Sequence, residues 1–201
     1  KYYDNNVGAA TIFASSVIEA GVRALVFSST AAVYGIPSAS PIPETAATVP
    51  INPYGASKLA FEGALHWLGQ AHGLGWTALR YFNAAGADPD AEIGESHVPE
   101  THLIPLLCKA ALGKGPGLTV FGQDYDTPDG TPIRDYIHVV DLAQAHVLAI
   151  ARLISGGDSL ILNVGTGEGV TVMQMIEAAK RRLNLDVPYS VGPRRAGDPR
   201  R

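Results

Sequence analysis

The chain has 201 residues, a formal net charge of -4 and 46% apolar residues. That length suits one substantial domain or a domain and part of another, and the acidic balance gives no electrostatic reason to expect nucleic acid or an anionic membrane as a partner. The single cysteine, Cys108, excludes an internal disulfide and suits a reducing, cytoplasmic setting, and no run approaches about 18 apolar residues, so no membrane span is expected.

Val7, Ala10, Ala14, Val17 and Ile18 recur at helical spacing and predict a helix over 6–20, stopped by Gly21. An apolar strand over 22–27 leads into Ser28-Ser29-Thr30, and a loop rich in Pro, Ser and Thr fills 36–53. A helix over 54–71 follows the turn Asn52-Pro53, then a strand over 76–82 ending beside Asn83, then a loop over 84–100. Helix 103–112, strand 118–121, a turn-rich loop over 123–131, strand 134–137, helix 139–153, strand 160–164, helix 171–183 with Thr171 as its cap, and strand 187–191 complete the chain. Alternation of helix and strand in the first part implies a parallel, doubly wound sheet. The less regular remainder reads as a smaller domain interleaved with returns to that sheet.

Tyr54 and Lys58 lie one helical turn apart, which stacks a phenol and an ammonium on one helix face. A free tyrosine has a pKa of about 10, and a cation within roughly 4–6 Å favours the phenolate. The spacing alone is more often plain packing of a ring and a solvated stem. Its context is more telling: hydroxyls at one strand end, this helix, and the amide of Asn83 at the next strand end belong at the crevice where open parallel sheets bind ligands.

These residues resemble the extended short-chain dehydrogenase/reductase family. The resemblance runs over essentially the whole chain, through Tyr2-Tyr3-Asp4-Asn5-Asn6-Val7, Phe27 to Gly35, Arg80-Tyr81-Phe82-Asn83, Asp129 to Val139 and Pro193 to Asp198. It implies an α/β fold, a partial Rossmann-type doubly wound parallel sheet with a smaller α/β substrate-binding domain. The expected division is 1–84 for the later part of the NAD-binding domain with the catalytic helix, and 85–201 for the nucleotide-sugar domain, with 132–165 returning to the main sheet. A Gly-x-x-Gly-x-x-Gly turn is missing, and Gly165-Thr166-Gly167-Glu168-Gly169 has the wrong spacing to replace it. The chain is therefore expected to begin partway through a nucleotide-binding domain and to be feeble or inactive by itself.

The implied activity is an isomerase, the NAD-dependent interconversion of UDP-galactose and UDP-glucose by transient oxidation at the sugar's C4. By resemblance, Thr30, Tyr54 and Lys58 are catalytic, and Asn5, Thr30, Tyr54, Lys58 and Phe82 hold NAD. Thr30, Asn83, His102, Leu103, Thr119, Val120, Phe121, Arg134, Arg195 and Asp198 hold the nucleotide sugar. Members that dehydrate nucleotide sugars carry an Asp-Glu pair where this chain has Ala31-Ala32, and neither alanine can move a proton. His102 stands where many members have asparagine. A homodimer is implied, through a two-helix face that includes the Tyr54 helix. Two alternatives stay open: a UDP-glucuronate epimerase or decarboxylase of the same family, and a non-catalytic nucleotide-sugar-binding polypeptide. His66, His72, His97, His138 and His146 show no metal-ligand spacing, so no metal site is expected; Asp126 and Asp129 are expected to serve a turn.

Overall fold

The alternation of helix and strand is realised as a parallel sheet in the computed structural model, which describes residues 1–115 and 117–195. The chain divides into two units, Lys1–Phe82 with Asp141–Gly165, and Asn83–Val140 with Thr166–Arg201. In the first, strands β1 (Ala24–Thr30), β2 (Gly75–Tyr81) and β6 (Leu160–Val164) form a parallel sheet with β2 in the middle. A π-helical turn, Asp4–Ala9, runs into α1 (Ala10–Glu19), and α2 (Pro53–His72) links β1 to β2. Ala14 of α1, Phe61 and Leu65 of α2, and Trp76 and Ala78 of β2 form one core with Leu25, Phe27 and Ile161 packed against it. The helical stripe and the strand runs read from the sequence meet here, which is why both elements form.

Helix α2 starts where its sequence dictates. The Asn52 side chain accepts from Gly55 N at 2.8 Å, and Pro53 occupies the first turn, where its missing N–H is no loss. It ends at Gly73, whose φ of +68° is the left-handed cap that glycine adopts without strain.

The middle strand buries a charge. Arg80 and Glu62 are each 3% exposed; Arg80 Nε reaches Glu62 Oε1 at 3.0 Å and Nη2 reaches Oε2 at 2.5 Å. Arg80 Nη1 also donates to Tyr34 Oη at 2.9 Å, Tyr34 donates to Asn163 Oδ1 at 2.7 Å, and Ser29 donates to Glu62 Oε1 at 2.5 Å. Three strands, a helix and the segment after β1 are thereby tied by a fully paired ionic network, the condition under which a buried charge is tolerated.

In the second unit, β3 (Asn83–Ala85), β5 (Ile133–His138) and β7 (Gly169–Thr171) form one sheet, and β4 (Leu118–Phe121) pairs with β8 (Tyr189–Gly192). Helices α3 (Leu103–Ala111) and α5 (Val172–Leu183) pack on β4 through Leu107, Ala110, Leu118, Val120 and Ile176. Thr171 caps α5 in a reciprocal pair with Gln174. The division falls at Phe82/Asn83 where 84/85 was expected, and the returning segment is Asp141–Gly165, most of it α4 (Val139–Ile154) and β6, where 132–165 was expected. The cause is β5, whose hydrogen bonds go to β3 and β7 and not to the main sheet.

The turn reading of Asp129 is realised and extended. Its carboxylate accepts from Thr131 N at 2.9 Å, Thr131 Oγ1 at 2.7 Å and Thr171 Oγ1 at 2.5 Å, tying the turn to the cap of α5. Gly130 follows with φ +79°, and a Cβ there would lie 2.1 Å from Gln123 O, so the turn requires glycine.

Candidate functional site

Two sets of chemistry-bearing side chains stand out, one in each unit. In the first, β1 ends at Thr30, which caps a 3-10 turn, Ala31–Tyr34, by accepting from Ala32 N at 3.1 Å. The start of α2 sits hard against that turn: a Cβ on Gly55 would lie 2.4 Å from Ala32 O. Glycine at 55 therefore lets the backbones approach, and the Tyr54 phenol is set near enough to the Thr30 hydroxyl for that group to act on its pKa. Lys58, one turn along, donates from Nζ to Ser28 O at 2.9 Å and lies 4.9 Å from the Phe27 ring centroid and 5.8 Å from that of Tyr54. Ser28 Oγ is 3.0 Å from His146 Nε2, while His146 Nδ1 faces Leu142 O at 2.8 Å. The carbonyl can only accept, so Nδ1 donates to it, and in the neutral ring Nε2 is then the acceptor of a hydrogen bond from the Ser28 hydroxyl.

The electrostatics differ from the sequence expectation. Burial pushes the Tyr54 phenol above its ordinary value, with Tyr81 and Tyr2 adding to the rise and the Thr30 hydrogen bond opposing it. Burial also lowers Lys58. The expected lowering of the phenol by Lys58 is opposed by burial, the largest cause of the shift on both groups, while the ammonium is held on the Ser28 carbonyl.

Asn5 is exposed in the π-helical turn and donates to Asn6 Oδ1 at 3.4 Å; Asn6 in turn donates to Ser57 Oγ at 3.0 Å. Phe82 is half-buried just past β2.

The second unit holds a cavity of about 710 Å³, inside the range of small-molecule sites. Its lining brings together Asn83, His102, Leu103, Thr119, Val120, Phe121, Arg134 and Arg195, all singled out from the sequence. The Arg195 guanidinium lies 3.9 Å over the Phe121 ring centroid, and Arg134 Nη1 donates to Ile133 O at 2.6 Å. Two guanidinium forks, an aromatic face and hydroxyl and amide groups make a lining suited to a planar base and a diphosphate. Thr30 lies in the first unit, and Asp198 lies outside the described residues. Tyr136 and Glu95 also line the cavity and were missed. Tyr136 sits within a segment that carried the resemblance; Glu95 had no signal beyond a polar loop.

The histidine reading needs correction as well. Among the described residues, Glu95, His97, Glu100 and His102 place one donor atom each within 4.8 Å of one another. The spacing His97-x-x-Glu100-x-His102 was present in the sequence, but only the loop's fold brings Glu95 to it.

Residues 1–165 match the model of the NAD dependent epimerase/dehydratase family. The chain is 49% identical over 199 residues to a UDP-glucose 4-epimerase of Lacticaseibacillus casei, covering 99% of this chain and 60% of that protein. A UDP-glucose 4-epimerase from Brucella ovis, solved in complex with NAD, superposes with a TM-score of 0.95 at 50% identity, covering 99% of this chain and 61% of that one. One from Stenotrophomonas maltophila, with bound NAD and formylated UDP-arabinopyranose, gives a TM-score of 0.93 at 43% identity, covering 98% and 59%. The chain thus spans about three fifths of the length of these relatives.

Proposed function

The chain belongs to the NAD dependent epimerase/dehydratase family, and we propose that the whole protein interconverts UDP-galactose and UDP-glucose by transient oxidation at the sugar's C4. The observation that carries this reading is the Tyr54 phenol set beside the Thr30 hydroxyl, next to Ala31 and Ala32: two hydroxyls able to pass a proton adjoin two residues that cannot supply the acid and base that elimination of water needs. The named relatives, all UDP-glucose 4-epimerases, support the choice of substrate.

The residues of the first unit fit a nicotinamide dinucleotide. Lys58 spends one of its three N–H donors on Ser28 O, which leaves donors for ribose hydroxyls, and Asn5 presents an exposed amide. Phe82 is the apolar contact in this reading. When bound, NAD supplies a reversible acceptor for hydride from C4. Tyr54 takes the proton of the sugar's 4-hydroxyl and later returns it, and Thr30 bridges that hydroxyl and the phenol. Because burial holds Tyr54 above its ordinary value, proton removal depends on positive charge beside it, from Lys58 and from a cationic nicotinamide ring. Returning hydride to the opposite face of the keto sugar inverts C4.

The cavity of the second unit holds the UDP portion in this reading, Arg134 and Arg195 taking phosphate oxygens and Phe121 and Leu103 the base. The partner is a second copy of the chain. Ile12 and Phe13 on α1 and Trp67 on α2 are 70%, 59% and 71% exposed, an apolar surface on the two-helix face that a homodimer would cover. A cytoplasmic setting suits a lone, exposed thiol; among the described residues no helix is long and apolar enough to cross a membrane.

Titrating UDP into the protein by calorimetry tests the binding half of this reading. Arg134→Ala raises the Kd for UDP about 10-fold or more, the size expected for a lost charge-assisted hydrogen bond. An unchanged Kd in a folded variant removes this cavity from the reading.

A further inference from the structure

The cluster at the rim of the cavity shares only His102 with the residues that the resemblance assigns to the nucleotide sugar, and its donors are those of a transition-metal site. Glu95 Oε1 lies 2.7 Å and Glu100 Oε1 3.0 Å from the same nitrogen, His102 Nδ1. A neutral imidazole has one proton to give from that nitrogen, so it can donate to only one of the two carboxylate oxygens that face it. A divalent cation in place of the proton satisfies both. His97 adds a second imidazole: its ring stacks on that of His102 at 5.2 Å between centroids, 26° from parallel, and its Nδ1 lies 3.8 Å from Glu100 Oε1.

The arrangement is also held in place before any ion arrives. The side chain of Glu100 is only 6% exposed, and its Oε1 accepts from Thr101 N at 2.7 Å and His102 N at 2.8 Å, which fixes the carboxylate. Two imidazoles and two carboxylates form a borderline donor set of the kind Zn²⁺ takes in tetrahedral geometry. Bonds of about 2.0–2.1 Å place tetrahedral donors about 3.3 Å apart. The four donor atoms here already lie within 4.8 Å of one another.

We propose that Glu95, His97, Glu100 and His102 bind one transition-metal ion of the Zn²⁺ class at the rim of the cavity, and that the bound ion weakens nucleotide binding. Glu95 and His102 line the cavity, and an ion that draws their side chains together takes His102 away from a nucleotide. The metal site rests on the donor geometry alone; only its effect on nucleotide binding rests on the function proposed above.

Co²⁺ titration followed by visible absorption tests the site, using the full chain with Cys108→Ser, because that exposed thiol also lines the cavity. The expected result is one Co²⁺ per chain with a tetrahedral spectrum, displaced by Zn²⁺, and at least 10-fold weaker in His97→Ala and in Glu95→Gln. Calorimetry with UDP then tests the coupling: saturating Zn²⁺ raises the Kd for UDP in the parent and leaves it unchanged in His97→Ala, whose side chain does not line the cavity. Equal Co²⁺ affinity in parent and His97→Ala, or a UDP affinity indifferent to Zn²⁺, overturns the proposal. Failure of the metal-free protein to bind UDP contradicts the function reading alone, since the Co²⁺ arm decides the metal site by itself.

Discussion

Tyr54→Phe lowers turnover of UDP-galactose by about 10²–10⁴-fold, the usual contribution of a positioned acid–base group, while the fold and the Kd for UDP stay as they were. The phenol lies beside Thr30 at the end of β1, and phenylalanine keeps the ring while deleting the proton carrier. The ring packs edge-on against Tyr2, with centroids 5.8 Å apart, so the variant retains its packing. UDP affinity is measured at a cavity lined by residues of the second unit and separates a lost proton transfer from a lost fold. A Tyr54→Phe protein with turnover within a few-fold of the parent would remove Tyr54 from the chemistry.

The largest effect on stability is expected at Glu62, where Glu62→Ala destabilises the protein by about 3–5 kcal/mol. The loss leaves the Arg80 guanidinium buried with its hydrogen bond to Tyr34 Oη and no carboxylate beside it, and strips Ser29 of its acceptor. An uncompensated buried charge outweighs the local effects around it: removing the Asn52 cap of α2 costs about 1 kcal/mol, and breaking the exposed Lys180–Glu177 pair costs between about 0 and 1 kcal/mol. Urea unfolding of the three variants side by side checks the order. A Glu62→Ala midpoint close to that of the parent would mean that Arg80 finds water or another acceptor.

The long elements were legible because each is an apolar run of one period, bounded by glycine, proline or a capping residue. Helix α2 is the clearest case, with Asn52-Pro53 before it and Gly73 after it. Strands β3 and β7 were not legible: three residues carry no period, and β7 begins inside the glycine-rich stretch that reads as a turn. The start of β1 also moved, from Val22 to Ala24, because Val22 is apolar yet 40% exposed and makes no ladder pairing in the sheet. Of the candidate site, the residues that gather around the cavity could be singled out by family pattern, but no local rule links Asn83, Phe121 and Arg195. Their meeting depends on the folding of the second unit. The Glu62–Arg80 pair was hidden for the same reason, since helix and strand positions 18 apart show no spacing rule. Burial as the largest cause acting on Tyr54 and Lys58 was not legible either, because charge spacing on a helix says nothing of desolvation.

The central claim is the C4 inversion, and the most direct test is to incubate the whole protein and NAD with UDP-galactose carrying deuterium at C4, and to analyse the nucleotide sugars formed. The account predicts UDP-glucose with the deuterium still at C4, because the hydride that leaves that carbon returns to it without exchanging with water. Absence of UDP-glucose, loss of the label to solvent, or a dehydrated sugar in its place would contradict it.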